Sequence, residues 1–301
     1  MTGKNTARIC VVRVDGGICS QLLFVAYGMA IGASDETVKY DLSWFKEWGR
    51  DNQGNQVRNW DVFKLLPDLK IDIASDEEIR LARNGRKGYR YISGYPDRDP
   101  AFLKYADLFK SLMKPDLDSS ATRLLEQIRG SQSCAIHVRR GDLVNGDPGY
   151  GEATSVDYFK RAIDFERARS AGKAVFYVFT DDVSWTQKNV MPLLGGGGVL
   201  CQNGADKGYV DLFLMSHCDA IISSIGSLGV FSAVLSDKNP VLYLSHAKGL
   251  ARGVENAVYF NDCDASASRT VTAQYRKTGL FKLPYKLFRY LEKELRIKES
   301  I

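Results

Sequence analysis

The stretch "CAIHVRRGD", Cys134 to Asp142, decides how the rest of the chain is read. Five residues make a short apolar strand broken only by His137, and two adjacent arginines, a glycine and an aspartate follow at once. Neighbouring cations repel, so Arg139 and Arg140 at the end of a strand call for an anion beside them. Guanidinium forks match phosphate oxygens two at a time, which makes a phosphate the natural occupant. A surface ion pair, with Arg140-Gly141-Asp142 as a turn, explains the same letters, and the stretch alone does not separate the two readings.

Outward from Val138 the pattern becomes regular. Helices are expected over 155–171, 183–194, 207–217 and 227–235, alternating with strands over 174–180, 199–202, 220–223 and 240–244. That alternation means right-handed βαβ units on a parallel sheet, whose ligands sit at the carboxyl ends of the strands. The first half opens with a strand over 8–14, a tight turn at Asp15-Gly16-Gly17 and a helix over 18–33, with further helices over 76–83 and 100–113. The aromatic and polar segment 41–63 reads as surface loops or a lid, and Gly195 to Gly198 as a flexible connection. Pro115 and a polar helix within 114–131 mark the boundary between an α/β domain over 1–125 and a second over 126–301.

The 301 residues are enough for two such domains, with 45% hydrophobic and 26% charged residues and no apolar run near the length of a membrane span. The amino end lacks the pattern of an export signal, and the six cysteines lack a CxxC pair, so a cytoplasmic chain with reduced core thiols is expected. Net charge is +5, and the segment 275–300, with eight Lys or Arg against three Glu, accounts for all of it. That basic amphipathic tail either packs on the protein or lies on an anionic membrane face. No nucleic-acid partner is expected.

Other strand ends carry candidates of their own. The strand over 220–223 leads through Ser224-Ile225-Gly226 into Ser227, the N-cap of an apolar helix that is either an ordinary Ser-capped core helix or one whose unpaired N–H groups hold a phosphate. Asp211, on the preceding helix, either accepts from a base amine or faces solvent. Asp181 and Asp182 either cap the next helix or orient the arginines. Asp262-Cys263-Asp264 spells the DxD of metal-dependent sugar transferases, although a turn explains so short a motif at least as well.

Four segments in order resemble the fucosyltransferase superfamily, most closely the bacterial α1,2-fucosyltransferases of glycosyltransferase family 11. They are "VDGGICSQLLFVAYGMAIG" from Val14, "HVRRGD" from His137, "FTDDVSW" from Phe179 and "DLFLMSHCDAIISSIGS" from Asp211. The resemblance implies a GT-B-like α/β fold, two Rossmann-like domains facing a cleft, and metal-independent, inverting transfer from GDP-L-fucose with no cofactor. It implies that Arg139 and Arg140 hold the diphosphate and that His137 and Asp211 contact guanine. Ser227 and Leu228, opening their helix, would take the β-phosphate, with Gly16 and Gly17 closing over it. Asp147 and Glu152 are both candidates for the catalytic base.

The chain has Ile225-Gly226-Ser227-Leu228-Gly229-Val230-Phe231 where the family usually has Asn-Ser-Ser/Thr-Phe-Ser-Trp-Trp. The donor sugar therefore stays open between L-fucose and a related deoxyhexose such as colitose. The implied acceptor is a galactoside, as an oligosaccharide or lipid-linked glycan of surface-polysaccharide or O-antigen assembly. A non-catalytic sugar-nucleotide-binding protein that kept the arginines is the reading from another class.

Overall fold

Apolar runs buried on both faces are what a parallel sheet covered by helices requires, and the chain builds two parallel sheets, of which the second is the more continuously apolar. The structure is a computed structural model and describes residues 8–33, 36–50, 57–94, 99–144, 153–204, 206–245, 251 and 253–260. By contacts it divides into two compact units, Met1–Ala121 with Asn203–Phe213, and Thr122–Gln202 with Leu214–Ile301.

The first unit carries a three-stranded parallel sheet in the order β2-β1-β3, from β1 (Ile9–Arg13), β2 (Thr37–Asp41) and β3 (Tyr89–Ile92). Between β1 and β2 runs α1 (Ile18–Gly32), whose Leu22, Phe24, Val25 and Ala26 are fully buried. The helices that follow are α2 (Ser43–Glu47), α3 (Val62–Leu65), α4 (Asp76–Arg83) and α5 (Asp99–Leu112), and then α6 (Ser119–Arg129), which from Thr122 onward groups with the second unit. The segment expected as irregular loops thus holds two short helices, with Phe45, Trp60 and Phe63 packed ring against ring. β2 and β3 were not anticipated from sequence, because Lys39 and Arg90 interrupt them; Glu78 of α4 pairs with Lys39, and Glu36, just before β2, pairs with Arg90.

The second unit carries six parallel strands: β4 (Ser133–Val138), β5 (Val175–Thr180), β6 (Gly198–Cys201), β7 (Ala220–Ser223), β8 (Val241–Leu244) and β9 (Ala257–Tyr259). Their order is β6-β5-β4-β7-β8-β9, which within the unit reads 3-2-1-4-5-6, the Rossmann order. The order reverses between β4 and β7. The helices are α7 (Gly141–Val144), α8 (Val156–Arg169), α9 (Val183–Asn189), α10 (Gly208–Met215), which groups with the first unit as far as Phe213, and α11 (Leu228–Val234). α9 stops short of its expected end because Pro192 cannot donate to the helix; a 3₁₀ turn over Met191–Leu194 follows, closed by Gly195 at φ 57°. Gly198 belongs to β6 and lies against Leu194, so the glycine run is a closed turn rather than a loose connection.

Cys134, Ile136 and Val138 point from β4 into a core shared with Tyr158, Phe159 and Ile163 of α8. Inside that core the Tyr158 hydroxyl stands 2.8 Å from the carbonyl of Ser223 and 2.9 Å from that of Tyr243, sharing its one hydrogen between the ends of β7 and β8. The Tyr243 hydroxyl donates to Glu166, and Arg169 satisfies the same carboxylate with two bonds. A buried carboxylate is tolerated because every oxygen is used.

Candidate active site

The two strands that flank the order reversal deliver their loops to one another. Ser224 N–H donates to the His137 carbonyl at 3.0 Å, and the Ser224 hydroxyl accepts from Arg139 N–H at 2.9 Å. Ile225 N–H is taken by the buried Thr154 hydroxyl at 2.9 Å. Gly226 then turns the chain at φ 124°, a value that side chains rarely tolerate. A Cβ there would stand 3.1 Å from Arg139 Cδ, 3.3 Å from its Nη1 and 3.7 Å from His137 Cε1. The absent side chain of Gly226 is thus what lets the arginine and the histidine lie against this loop. Three residues on, a Cβ on Gly229 would meet Ser223 Oγ at 2.4 Å, so that glycine lets α11 pack directly on β7.

Strand alternation turns His137 to the sheet face opposite Ile136 and Val138, and only 8% of it is exposed. Arg140 is held by other means. Its backbone N–H donates to Asp181 at 2.8 Å, its Nε stands 3.6 Å from Asp182 Oδ2, and its guanidinium lies 3.8 Å from the centroid of the Trp185 ring. Asp182 also accepts from Trp185 N–H at 3.0 Å as the N-cap of α9. The two roles left open for these carboxylates are both filled. Trp185 and Gly226, with no role expected of them, complete the arrangement; the signal for the first lay in the segment Phe179–Trp185, which β5 sets beside the end of β4.

Ser227 occupies the N-cap of α11, but with φ −96° and ψ −20° its backbone is helical and its hydroxyl makes no capping bond. The expected capping geometry is therefore absent, although Ser227 and Leu228 do open the helix directly after Gly226.

In the first unit, Gly16 takes φ 76° and Gly17 is the N-cap of α1. The turn is fastened by Gln21, which is fully buried: its Nε2 donates to the carbonyls of Gly16 at 3.0 Å and Asn59 at 2.8 Å, and its Oε1 accepts from Asp61 N–H at 2.9 Å. The Arg58 guanidinium lies 3.9 Å from where a Cβ on Gly17 would stand. Asp211 belongs to the part of α10 that groups with this unit, and its carboxylate accepts from Asn203 Nδ2 at 2.7 Å. Burial pushes its pKa up to about 6, against the lowering effect of that bond. A groove of about 670 Å³, lined by Met29, Val38, Phe63, Leu69 and Lys70 among others, contains none of the expected site residues.

Asp147, Glu152, Asp262, Asp264 and the tail 275–300 lie outside the described residues. Among the described residues, no group of three or more His, Cys, Asp or Glu stands close enough to hold a metal ion, and no helix is long and apolar enough to cross a membrane. Cys10, Cys19, Cys134, Cys201 and Cys218 are buried and outside any disulfide, and burial raises the thiol pKa of Cys10, Cys134 and Cys218.

A parallel sheet in this order, with adjacent arginines at its reversal point, defines a doubly wound unit with a cationic switch point. The chain belongs to glycosyl transferase family 11, whose sequence model matches residues 58–249, from Arg58 through both arginines and Ser227. It is 30% identical over 125 residues to mouse galactoside 2-alpha-L-fucosyltransferase Sec1, covering 40% of this chain and 33% of that protein. To an Escherichia coli alpha-1,2-colitosyltransferase it is 23% identical over 257 residues, 76% of this chain and 88% of that one. The chain therefore spans about a third of the mammalian relative and most of the bacterial one. Among solved structures it is similar to the fucosyltransferase NodZ from Bradyrhizobium, with a TM-score of 0.43, 14% identity, and 76% and 94% of the two chains covered.

Proposed function

We propose that the chain transfers L-fucose from GDP-L-fucose to a hydroxyl of a galactoside acceptor, in α1,2 linkage and with inversion, in the assembly of a surface polysaccharide. The observation that carries this reading is the arginine pair at the switch point, set against a glycine turn in a family 11 chain. In the reaction the bond from the anomeric carbon to the diphosphate breaks, the acceptor oxygen bonds to that carbon, and its proton passes to a base. Negative charge grows on the departing GDP. Arg139 and Arg140 meet that charge in place, each charge-assisted bond worth about 1.5–3 kcal/mol. Ser227, Leu228 and the Gly16-Gly17 turn are assigned to the donor's phosphates, His137 and Asp211 to guanine, and Asp147 or Glu152 to the base. A carboxylate with a pKa of about 6 is mostly ionised at neutral pH, as an acceptor for guanine N–H groups must be. The eight basic residues of the tail support peripheral contact with an anionic membrane face, where a lipid-linked acceptor would be met.

A second reading, transfer of colitose from its GDP derivative, is favoured by the relative matched over 76% of this chain, a colitosyltransferase. A donor screen decides between them: GDP-fucose, GDP-colitose and GDP-mannose are offered with a set of galactosides, and released GDP is measured. Acceptor-dependent release from GDP-fucose supports the first reading, and release from GDP-colitose alone replaces it with the second. GDP binding with no acceptor-dependent release from any donor would leave a binding module. Because the arginines take the part a metal would play, activity persists in excess EDTA; its loss, with recovery on adding Mg²⁺ or Mn²⁺, would point to Asp262 and Asp264 instead.

A further inference from the structure

Adjacent arginines in one motif invite the assumption that they act alike, yet their surroundings differ. Arg139 lies along Gly226, while Arg140 is braced by Trp185 of α9 and by Asp182 in the turn between β5 and α9. The Trp185 ring covers one face of its guanidinium at 3.8 Å, and Asp182 Oδ2 stands 3.6 Å from its Nε. Asp182 is itself fixed: its N–H donates to Thr180 Oγ1 at 3.0 Å, and its other oxygen accepts from Trp185 N–H at 3.0 Å. Trp185 in turn packs on Phe159 in the core of the unit. The bracing therefore runs unbroken from core to guanidinium. A long side chain that is ordered before its ligand arrives loses less freedom on binding it.

The same carboxylate poses an opposing effect. A negative charge beside a phosphate-binding arginine repels the phosphate, so removing it would tighten binding if orientation counted for nothing. At 3.6 Å the pair is beyond a direct hydrogen bond, and the Trp185 face and the Asp182 edge constrain the direction of the fork while leaving it charged. Resting on the reading of Arg140 as a diphosphate contact, we propose that Asp182 and Trp185 are positioning residues for Arg140, holding its guanidinium ready for the GDP moiety that neither of them touches.

The test is a double-mutant cycle read as GDP affinity by calorimetry on the full chain, which needs no acceptor. Asp182→Asn keeps a side-chain oxygen for the N-cap and removes the charge facing Arg140. It weakens GDP binding about tenfold in the wild-type background and less than about twofold in the Arg140→Ala background, because the partner it positions is gone. Trp185→Leu follows the same pattern, and Trp185→Phe, which restores an aromatic face, recovers most of the loss. If Trp185→Leu fails to fold, Asp182→Asn and Trp185→Phe still carry the test. Unchanged or tighter GDP binding by Asp182→Asn, or equal losses in both backgrounds, overturns the positioning role and leaves the phosphate role of Arg140 standing. Wild-type GDP affinity in Arg140→Ala removes both.

Discussion

The carboxyl end of β2 and the carboxyl end of β4 both carry charge at the edge of a parallel sheet, and they treat it in opposite ways. At β2, Asp41 is wholly buried and accepts from Tyr91 Oη at 2.7 Å, Ser43 N–H at 2.8 Å and Arg83 Nη2 at 3.0 Å. Burial alone would raise its pKa, but those bonds and the Arg83 charge outweigh it and hold the carboxyl below its ordinary value. The charge is spent within the protein. At β4, the neighbouring polar groups satisfy the backbone of the arginines, through Ser224 and Asp181, and a glycine stands where a side chain would crowd Arg139. The two ends thus differ in how the charge is met: Asp41 by three direct hydrogen bonds, Arg140 by an aromatic face and a carboxylate 3.6 Å from its Nε, beyond a direct hydrogen bond.

Breaking the β4 side should have the largest effect. Arg139→Ala is expected to lower kcat/KM with GDP-fucose by about a hundredfold or more while the protein keeps its melting temperature within a few degrees. Near-normal turnover in a folded Arg139→Ala protein would sink the phosphate assignment. Gly226→Ala comes next, since it combines a φ of 124° with contacts of 3.1 and 3.3 Å to Arg139. It should weaken GDP binding by about tenfold and cost about 1–3 kcal/mol in denaturant unfolding.

The β2 side should show the reverse balance. Asp41→Asn is expected to cost about 1–3 kcal/mol of stability with GDP affinity nearly unchanged, and a large loss of affinity would erase the contrast. Because the Asp41 pKa is depressed, the stability it contributes is present above the unfolded value and lost as pH falls through the folded one. An acid titration of unfolding should accordingly be flatter in Asp41→Asn than in wild type.

The smallest effect is expected at Asp211, whose raised pKa has the opposite sign: burial of its carboxylate favours folding at low pH and that contribution fades as pH rises through about 6. GDP affinity should move the other way, weakening between pH 7 and 5 as the acceptor is protonated. Asp211→Asn should remove that dependence, and a GDP titration that keeps the full pH response in the variant would count against a guanine contact.

The strands β4, β5, β7 and β8 were legible to within a residue or two because burial on both faces writes them as nearly unbroken apolar runs. β2 and β3 were not, since Lys39 and Arg90 read as loop residues until Glu78 and Glu36 are seen to neutralise them. The arginine pair and its place at a strand end were visible directly. The bracing of Arg140 was not: Asp182 and Trp185 stand more than forty positions away, and only the β4–β5 pairing brings them near. The grouping of Asn203–Phe213 with the first unit likewise depends on contacts that no local pattern announces.

Gln21 has a consequence of another kind. One amide group serves three backbone positions, donating twice through its nitrogen and accepting once through its oxygen. Glutamate has the same shape but no hydrogen to give, and would set an oxygen against the carbonyls of Gly16 and Asn59; asparagine is a methylene too short to reach both. Exchanging that one nitrogen for oxygen leaves the outline of the side chain unchanged and removes both donors that fasten the turn.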